Sequence, residues 1–231
     1  MNFMKTYNST KTFYGTYLYK LQVRTSLSFL FYGSTQTKKP DYSVYNSHVD
    51  ELGSKNELKI NRWRTATRQQ FVDARIILDC IINSDVEFKL RCESYSLSIY
   101  TNDCEFLEKI AENLSFDARA KLWKPEKSAE DFLTNNKNVI VSSKPVDYPY
   151  KVYLKSDYTQ KGYDALVKWL KSNTDKSKVG HNTLYNLEHG CYITGNYFYV
   201  KDLKVLMIVE MVAGKVISKI DNVVYIGDID K

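Results

Sequence analysis

Glycine and proline are scarce in this sequence, at nine and four of 231 residues, and histidine is scarcer. The three histidines, His48, His181 and His189, form no H-x-H or H-E-x-x-H pair. That argues against metalloproteases and against rolling-circle initiators, which need such a pair to hold a metal. There is no P-loop, no G-x-G-x-x-G and no G-x-S-x-G, so the phosphate-cradling and nucleophile-elbow classes have no foothold. The four cysteines, Cys80, Cys92, Cys104 and Cys191, contain no C-x-x-C pair. A cluster of His181, His189 and Cys191 matches no zinc spacing, so no metal and no other cofactor is expected. Cys80 and Cys92 fall on apolar faces, where a cysteine behaves as a small hydrophobe, and no disulfide is expected. No apolar run approaches the ~18–20 residues that cross a bilayer. Residues 1–11 are polar and lack the apolar core of a signal peptide. The expectation is a cytoplasmic chain with no membrane partner, in a host cell or virion if the source is viral.

Tyrosine is abundant, with 19 residues, and the net charge is +6 with a pI near 8.9. The charge is compatible with a nucleic-acid partner without demanding one. An AT-rich genome, as in many phages, viruses and parasites, favours the codons for Lys, Asn, Tyr and Ile and accounts for much of the bias. The tyrosines also supply stacking surfaces. With 43% apolar residues, the chain can build one large core or two small ones.

Periodicity divides the chain into two similar halves. In the first, Thr16 to Tyr32 is strand-like, with Lys20, Gln22 and Arg24 alternating against Leu21 and Val23, and Leu27 to Tyr32 continuing after a bend. Gly33 to Arg64 is polar and basic and is read as an insertion. Thr65 to Ile82 is a helix on the stripe Phe71, Ala74, Ile77, Leu78 and Ile81, capped by Thr65 or Thr67. Glu87 to Glu93 and Ser96 to Thr101 form a hairpin. Asp103 caps a helix over Cys104 to Leu114, and Ala118 to Trp123 closes the half. The second half repeats the order: strand Tyr150 to Ser156, helix Thr159 to Ser172, hairpin Gly190 to Thr194 with Tyr197 to Lys201, helix Leu203 to Ala213 and strand Val216 to Tyr225. A short helix at Ser128 to Leu133 and an extra strand at Val139 to Ser142 precede it. The expected architecture is α+β, two ferredoxin-like (split βαβ) halves with helices on one face of each antiparallel sheet. The boundaries are 1–124, a linker at 125–138, and 139–231.

In that arrangement each sheet has an open face. On the second, Lys151, Tyr153 and Lys155 lie beside Tyr197, Tyr199 and Lys201. On the first, Lys20 and Arg24 lie beside Lys89, Arg91 and Tyr100, a face expected to be poorer in aromatics. Arg62, Arg64 and Arg68 load the start of the first long helix with charge that opposes its dipole, so they want another purpose. Aromatic rings that stack bases and cations that neutralise phosphates suit single-stranded RNA or DNA. The design resembles RNA-recognition-motif domains: Gly195-Asn196-Tyr197-Phe198-Tyr199-Val200 has that motif's glycine and two aromatics, one position out of register, and Tyr153 matches its first-strand aromatic. Two alternatives stand beside this. One is a structural or protein-interaction subunit, a homo-oligomer or a virion component. The other is a metal-independent endoribonuclease using His48 or His181, as in CRISPR-RNA-processing enzymes with tandem ferredoxin-like halves, although the glycine-rich C-terminal loop of that class is absent.

Overall fold

The computed structural model describes residues 4–35, 38–156, 159–191 and 195–229, and it is a mixed α+β chain. It divides into two compact units, Met1–Glu126 and Lys127–Lys231. Among the described residues no helix is long and apolar enough to cross a membrane.

The first unit runs β1 (Lys5–Ser9), β2 (Tyr19–Arg24), α1 (Tyr42–Leu52), β3 (Glu57–Asn61), β4 (Arg64–Thr67), α2 (Arg68–Ile82), β5 (Phe88–Glu93), β6 (Ser96–Thr101), α3 (Cys104–Asn113) and β7 (Lys121–Pro125). Five strands form one sheet in the order β1-β7-β2-β6-β5. Leu21, Val23, Leu97, Ile99 and Leu122 point to the buried side, where α3 packs across β2, β6 and β7. The α2 stripe is buried as its spacing predicts, and Thr67 is the cap, accepting from the Gln70 amide at 3.3 Å. Asp103 caps α3 in the same way, through the Phe106 amide at 2.9 Å.

One expectation for this unit needs correction. Leu27 to Tyr32 does not continue the strand. Ser28–Phe31 is a single 3-10 turn whose Leu30 and Phe31 are buried against β5 and β6, because Thr25 turns the chain by pairing with the Tyr95 carbonyl. The segment read as an insertion carries elements of its own. Asp41 caps α1 through the Ser43 amide, Tyr45 and Leu52 bury its inner face, and β3–β4 is a separate hairpin. Arg68 ties the two together by donating to the carbonyls of Gly53 at 2.6 Å and Lys55 at 2.7 Å.

The second unit runs α4 (Lys127–Asn135), β8 (Val139–Ser142), β9 (Tyr150–Leu154), α5 (Gln160–Ser172), β10 (Ser177–Val179), α6 (His181–Glu188), β11 (Tyr197–Val200), α7 (Lys204–Ala213) and β12 (Ile217–Tyr225). Its sheet order is β10-β11-β9-β12-β8. Val152, Leu154, Phe198 and Val200 form one core with Tyr163, Leu166, Leu170 and Val209 from the helices. The Asp202 carboxylate accepts from the Lys204 amide at 2.8 Å as α7 begins. Gly214 ends it at φ 75°, a left-handed value that glycine adopts without a Cβ penalty.

The partner of β11 differs from expectation. Ser177–Val179 takes that edge, pairing Lys178 with Tyr199 and Val179 with Phe198. Gly190 and Cys191 belong to no strand, and residues 192–194 of the expected strand lie outside the described residues. The competing segment won because Val179 packs against the core while the buried Ser177 hydroxyl is satisfied by the Asn173 carbonyl.

With the β3–β4 hairpin set aside, the two units share one pattern. The second strand of each (β2, β9) is flanked antiparallel by the last strand and by the strand before the last helix. In each, the first strand (β1, β8) runs parallel to the last at one edge.

Candidate nucleic-acid interface

Strand register sets out the face opposite the helices in the second unit. Tyr153 lies between Tyr197 and Lys219, and Lys151 between Tyr199 and Asp221. The Lys151 ammonium sits 3.6 Å from the centroid of the Tyr197 ring, 5.1 Å from that of Tyr153 and 5.8 Å from that of Tyr199. Such contacts contribute roughly 0.5–2 kcal/mol each and fix the ammonium over the aromatic cluster. Tyr197 and Tyr199 meet edge to face at 5.5 Å. Asp221 lies beneath, 1% exposed and paired with the Lys219 ammonium at 2.6 Å, and burial together with its carboxylate charge raises the pKa of the Tyr153 hydroxyl. The structure places Lys151, Tyr153, Tyr197 and Tyr199 side by side, together with Asp221 and Lys219, which the sequence pattern did not single out. Lys155 stands just past β9, on a depression of about 420 Å³ shared with Tyr153, Gly195 and Lys219. Lys201 stands past β11, 5.2 Å from the Tyr148 ring centroid.

In the first unit the register gives two full rows across five strands. One is Tyr7, Trp123, Lys20, Tyr100 and Lys89; the next is Lys5, Lys121, Gln22, Ser98 and Arg91. Arg24 follows beside Ser96 and Glu93. The expectation that this face is poorer in aromatics than the second does not hold, since Tyr7, Trp123 and Tyr100 share one row. Tyr7 stacks on Trp123 at 5.1 Å, and Lys20 lies 4.3 Å from the Trp123 ring. Burial pulls the pKa of the Lys20 ammonium down. Part of the face is covered: the segment after β1 lays Phe13 and Tyr14 against Tyr100, which is 4% exposed. Lys89 sits 4.2 Å from the Tyr14 ring, and Arg91 pairs with Glu93 at 3.0 Å.

The register also aligns the two faces. Lys20 and Lys151 each lie opposite a tyrosine on one side, Tyr100 and Tyr199. Two residues on, Gln22 and Tyr153 each lie opposite a lysine on the other, Lys121 and Lys219.

The basic group at the start of α2 divides in two. Arg68 is occupied by the Gly53 and Lys55 carbonyls. Arg62 and Arg64 flank the tip of the β3–β4 hairpin, where Trp63 is 74% exposed with the Arg62 guanidinium 4.8 Å from its ring. The Tyr95 hydroxyl donates to the Trp63 carbonyl at 2.6 Å, and Arg64 lies 5.7 Å from the Tyr95 ring. Trp63 and Tyr95 were missed because neither falls in a periodic segment.

For the other chemistries, His48 lies on α1 in the first unit, 3.8 Å from Glu51, and His181 opens α6 in the second. Among the described residues no three His, Cys, Asp or Glu side chains gather to hold a metal ion.

Several phenols are held in their neutral form. Burial pushes the Tyr100 pKa up to about 12. Burial and a hydrogen bond to Asp79 push Tyr42 up to about 12, and burial with the Asp221 carboxylate raises Tyr153 further. A phenol whose folded pKa exceeds the unfolded value of about 10 contributes its full stability below pH 10. It loses that contribution as the pH rises from there through the folded pKa. Thermal unfolding is therefore expected to shift to lower temperature above pH 10, with a fraction of the phenolate absorbance appearing only near pH 12. Ionisation of all 19 tyrosines in one step near pH 10, without unfolding, would contradict this placement.

Comparison with protein-family models finds no match, and searches of curated proteins and of solved structures find none.

Proposed function

We propose that the chain binds single-stranded nucleic acid, RNA or DNA, on the open sheet faces of two ferredoxin-like (split βαβ) units. One observation carries the reading. In each unit the second strand holds a lysine among aromatic rings, with further cations at matching positions around it. Lys151 with Tyr197 and Tyr199, and Lys20 with Trp123, pair a phosphate partner with a stacking surface. The shared strand order supports the split βαβ description of both units.

Fluorescence anisotropy of a labelled single-stranded oligonucleotide at 50 and 200 mM salt tests the reading. Contact with about five phosphates, each contributing a salt slope of about 0.7, weakens binding roughly a hundredfold over that range. Absent or salt-insensitive binding at micromolar protein overturns it.

One observation favours the second reading, a subunit that self-associates. On α7, Met207, Ile208, Met211 and Val212 are exposed, whereas the exposed positions of the matching helix α3 are Glu105, Lys109, Glu112 and Asn113. This apolar patch, bordered by the exposed Lys204 and Glu210, suits an isologous contact with a second copy of the chain. A negative anisotropy result with a dimer mass by light scattering selects it.

A further inference from the structure

Building on the nucleic-acid reading, we propose that the inserted β3–β4 hairpin and the adjoining end of the first unit's sheet form a strand-binding trough. In it Arg24, Arg119 and Lys121 follow the phosphates, and Trp63 stacks a base at one end. A depression of about 600 Å³ is lined by Gln22, Arg24, Tyr95, Ser96, Arg119 and Lys121. A second, of about 450 Å³, shares Arg119 and Lys121 and continues to Lys5 and Phe116. Five strands at about 4.8 Å spacing make this path roughly 19 Å long. Glu93 is the one acid on its lining, and Arg91 offsets it at 3.0 Å.

An exposed aromatic stands at each end, Phe116 at 67% and Trp63 at 74%. The hairpin tip is held beside the trough. Tyr95 lines the depression while its hydroxyl binds the Trp63 carbonyl, and Asn61 braces the turn by accepting from the Trp63 amide at 2.9 Å. Arg119 is held at φ 44°, a left-handed backbone uncommon for a residue with a side chain, in the turn that leads into β7. Rings at the ends of a basic path need bases with free faces, which a duplex conceals and a single strand offers. The matching depression in the second unit has Lys155 and Lys219 at the places of Arg24 and Lys121 and, among the described residues, no hairpin beside it. The inserted segment thus gives the first unit a recognition element of its own.

The test uses the full-length chain and a 10-nucleotide single strand. Trp63→Ala should weaken binding about 5- to 100-fold, the cost of one lost stacking partner. The variant Arg24→Gln/Arg119→Gln/Lys121→Gln should lower the salt slope by about 2, at about 0.7 per lost phosphate contact. The wild-type chain should show quenched tryptophan emission on binding. Trp63→Phe should keep most of the affinity and lose the share of the quenching that Trp63 supplies, leaving only what a base at the Tyr7–Trp123 pair contributes, because Trp169 is buried. If the wild type binds with salt sensitivity while these variants bind and quench as it does, the trough is refuted and the nucleic-acid reading survives on the other faces. If the wild type does not bind, both fall.

Discussion

A chain in which Trp63, Tyr197 and Tyr199 are all replaced by alanine is expected to lose measurable binding of a single strand at micromolar protein. Each stacked base contributes roughly 1–3 kcal/mol, so losing Trp63 weakens the first unit's face at least about fivefold and losing Tyr197 with Tyr199 weakens the second unit's face at least about thirtyfold. The choice of residues follows from the geometry. Trp63 is exposed at a hairpin tip, and Tyr197 and Tyr199 are half-buried on β11 around the Lys151 ammonium. Tyr153 belongs to the same cluster but is a poor probe, because it is half-buried beside the buried Asp221 carboxylate, and its truncation would disturb that charge's surroundings. Leaving a buried carboxylate short of a partner costs about 1–3 kcal/mol or more in stability and would be mistaken for a binding effect. Anisotropy beside a urea unfolding curve separates the two. Lost affinity at an almost unchanged midpoint supports the stacking role, and unchanged affinity removes it.

Phe198→Ala, between those tyrosines, is expected to do the reverse. Phe198 is 0% exposed and packs in the second unit's core with Val152, Leu166 and Val209. Truncating a buried phenylalanine removes its transfer energy and leaves a cavity, at about 3–5 kcal/mol. That is a large part of the roughly 5–15 kcal/mol that holds an ordinary domain together. The unfolding midpoint should fall sharply, and whatever folded protein remains should keep Tyr197 and Tyr199 on the other face. A loss under 1 kcal/mol would mean that β11 does not lie in this register. One strand thus carries a binding test on its odd positions and a stability test on its even ones.

The elements with a clear period were legible from the residues alone. The α2 stripe, the β5–β6 hairpin, the Asp103-capped α3, and α5 all lie within a few residues of where spacing and caps put them. The elements without a period were not. β1 has four exposed positions of five and is held by pairing with β7 rather than by an apolar face. β10 has three residues, too few to show alternation. The hairpin β3–β4 buries only Leu58 and Ala66. The candidate site followed the same division. Lys151, Tyr153, Tyr197 and Tyr199 were found because alternation places them opposite a readable core. Lys5, Arg119, Lys121, Trp63 and Tyr95 come together through strand β1, a left-handed turn and the inserted hairpin, none of which leaves a pattern in the chain. Arg68 illustrates the opposite error, since local charge density drew attention to a side chain that two backbone carbonyls already hold.

The pairing of first with last strand in each unit bears on synthesis. β1 is made before the rest of its unit, yet its partner β7 comes only when the unit is nearly finished, and β8 waits likewise for β12. Neither sheet can close until its unit's last strand has emerged, and each ordering step spans almost a whole unit. Long-range closure of this kind slows folding. Until it happens, β2 has no neighbour on one side and its edge is open to pairing with another chain. The nascent protein is therefore most exposed to misassociation just before residues 121–125 emerge, and again before residues 217–225.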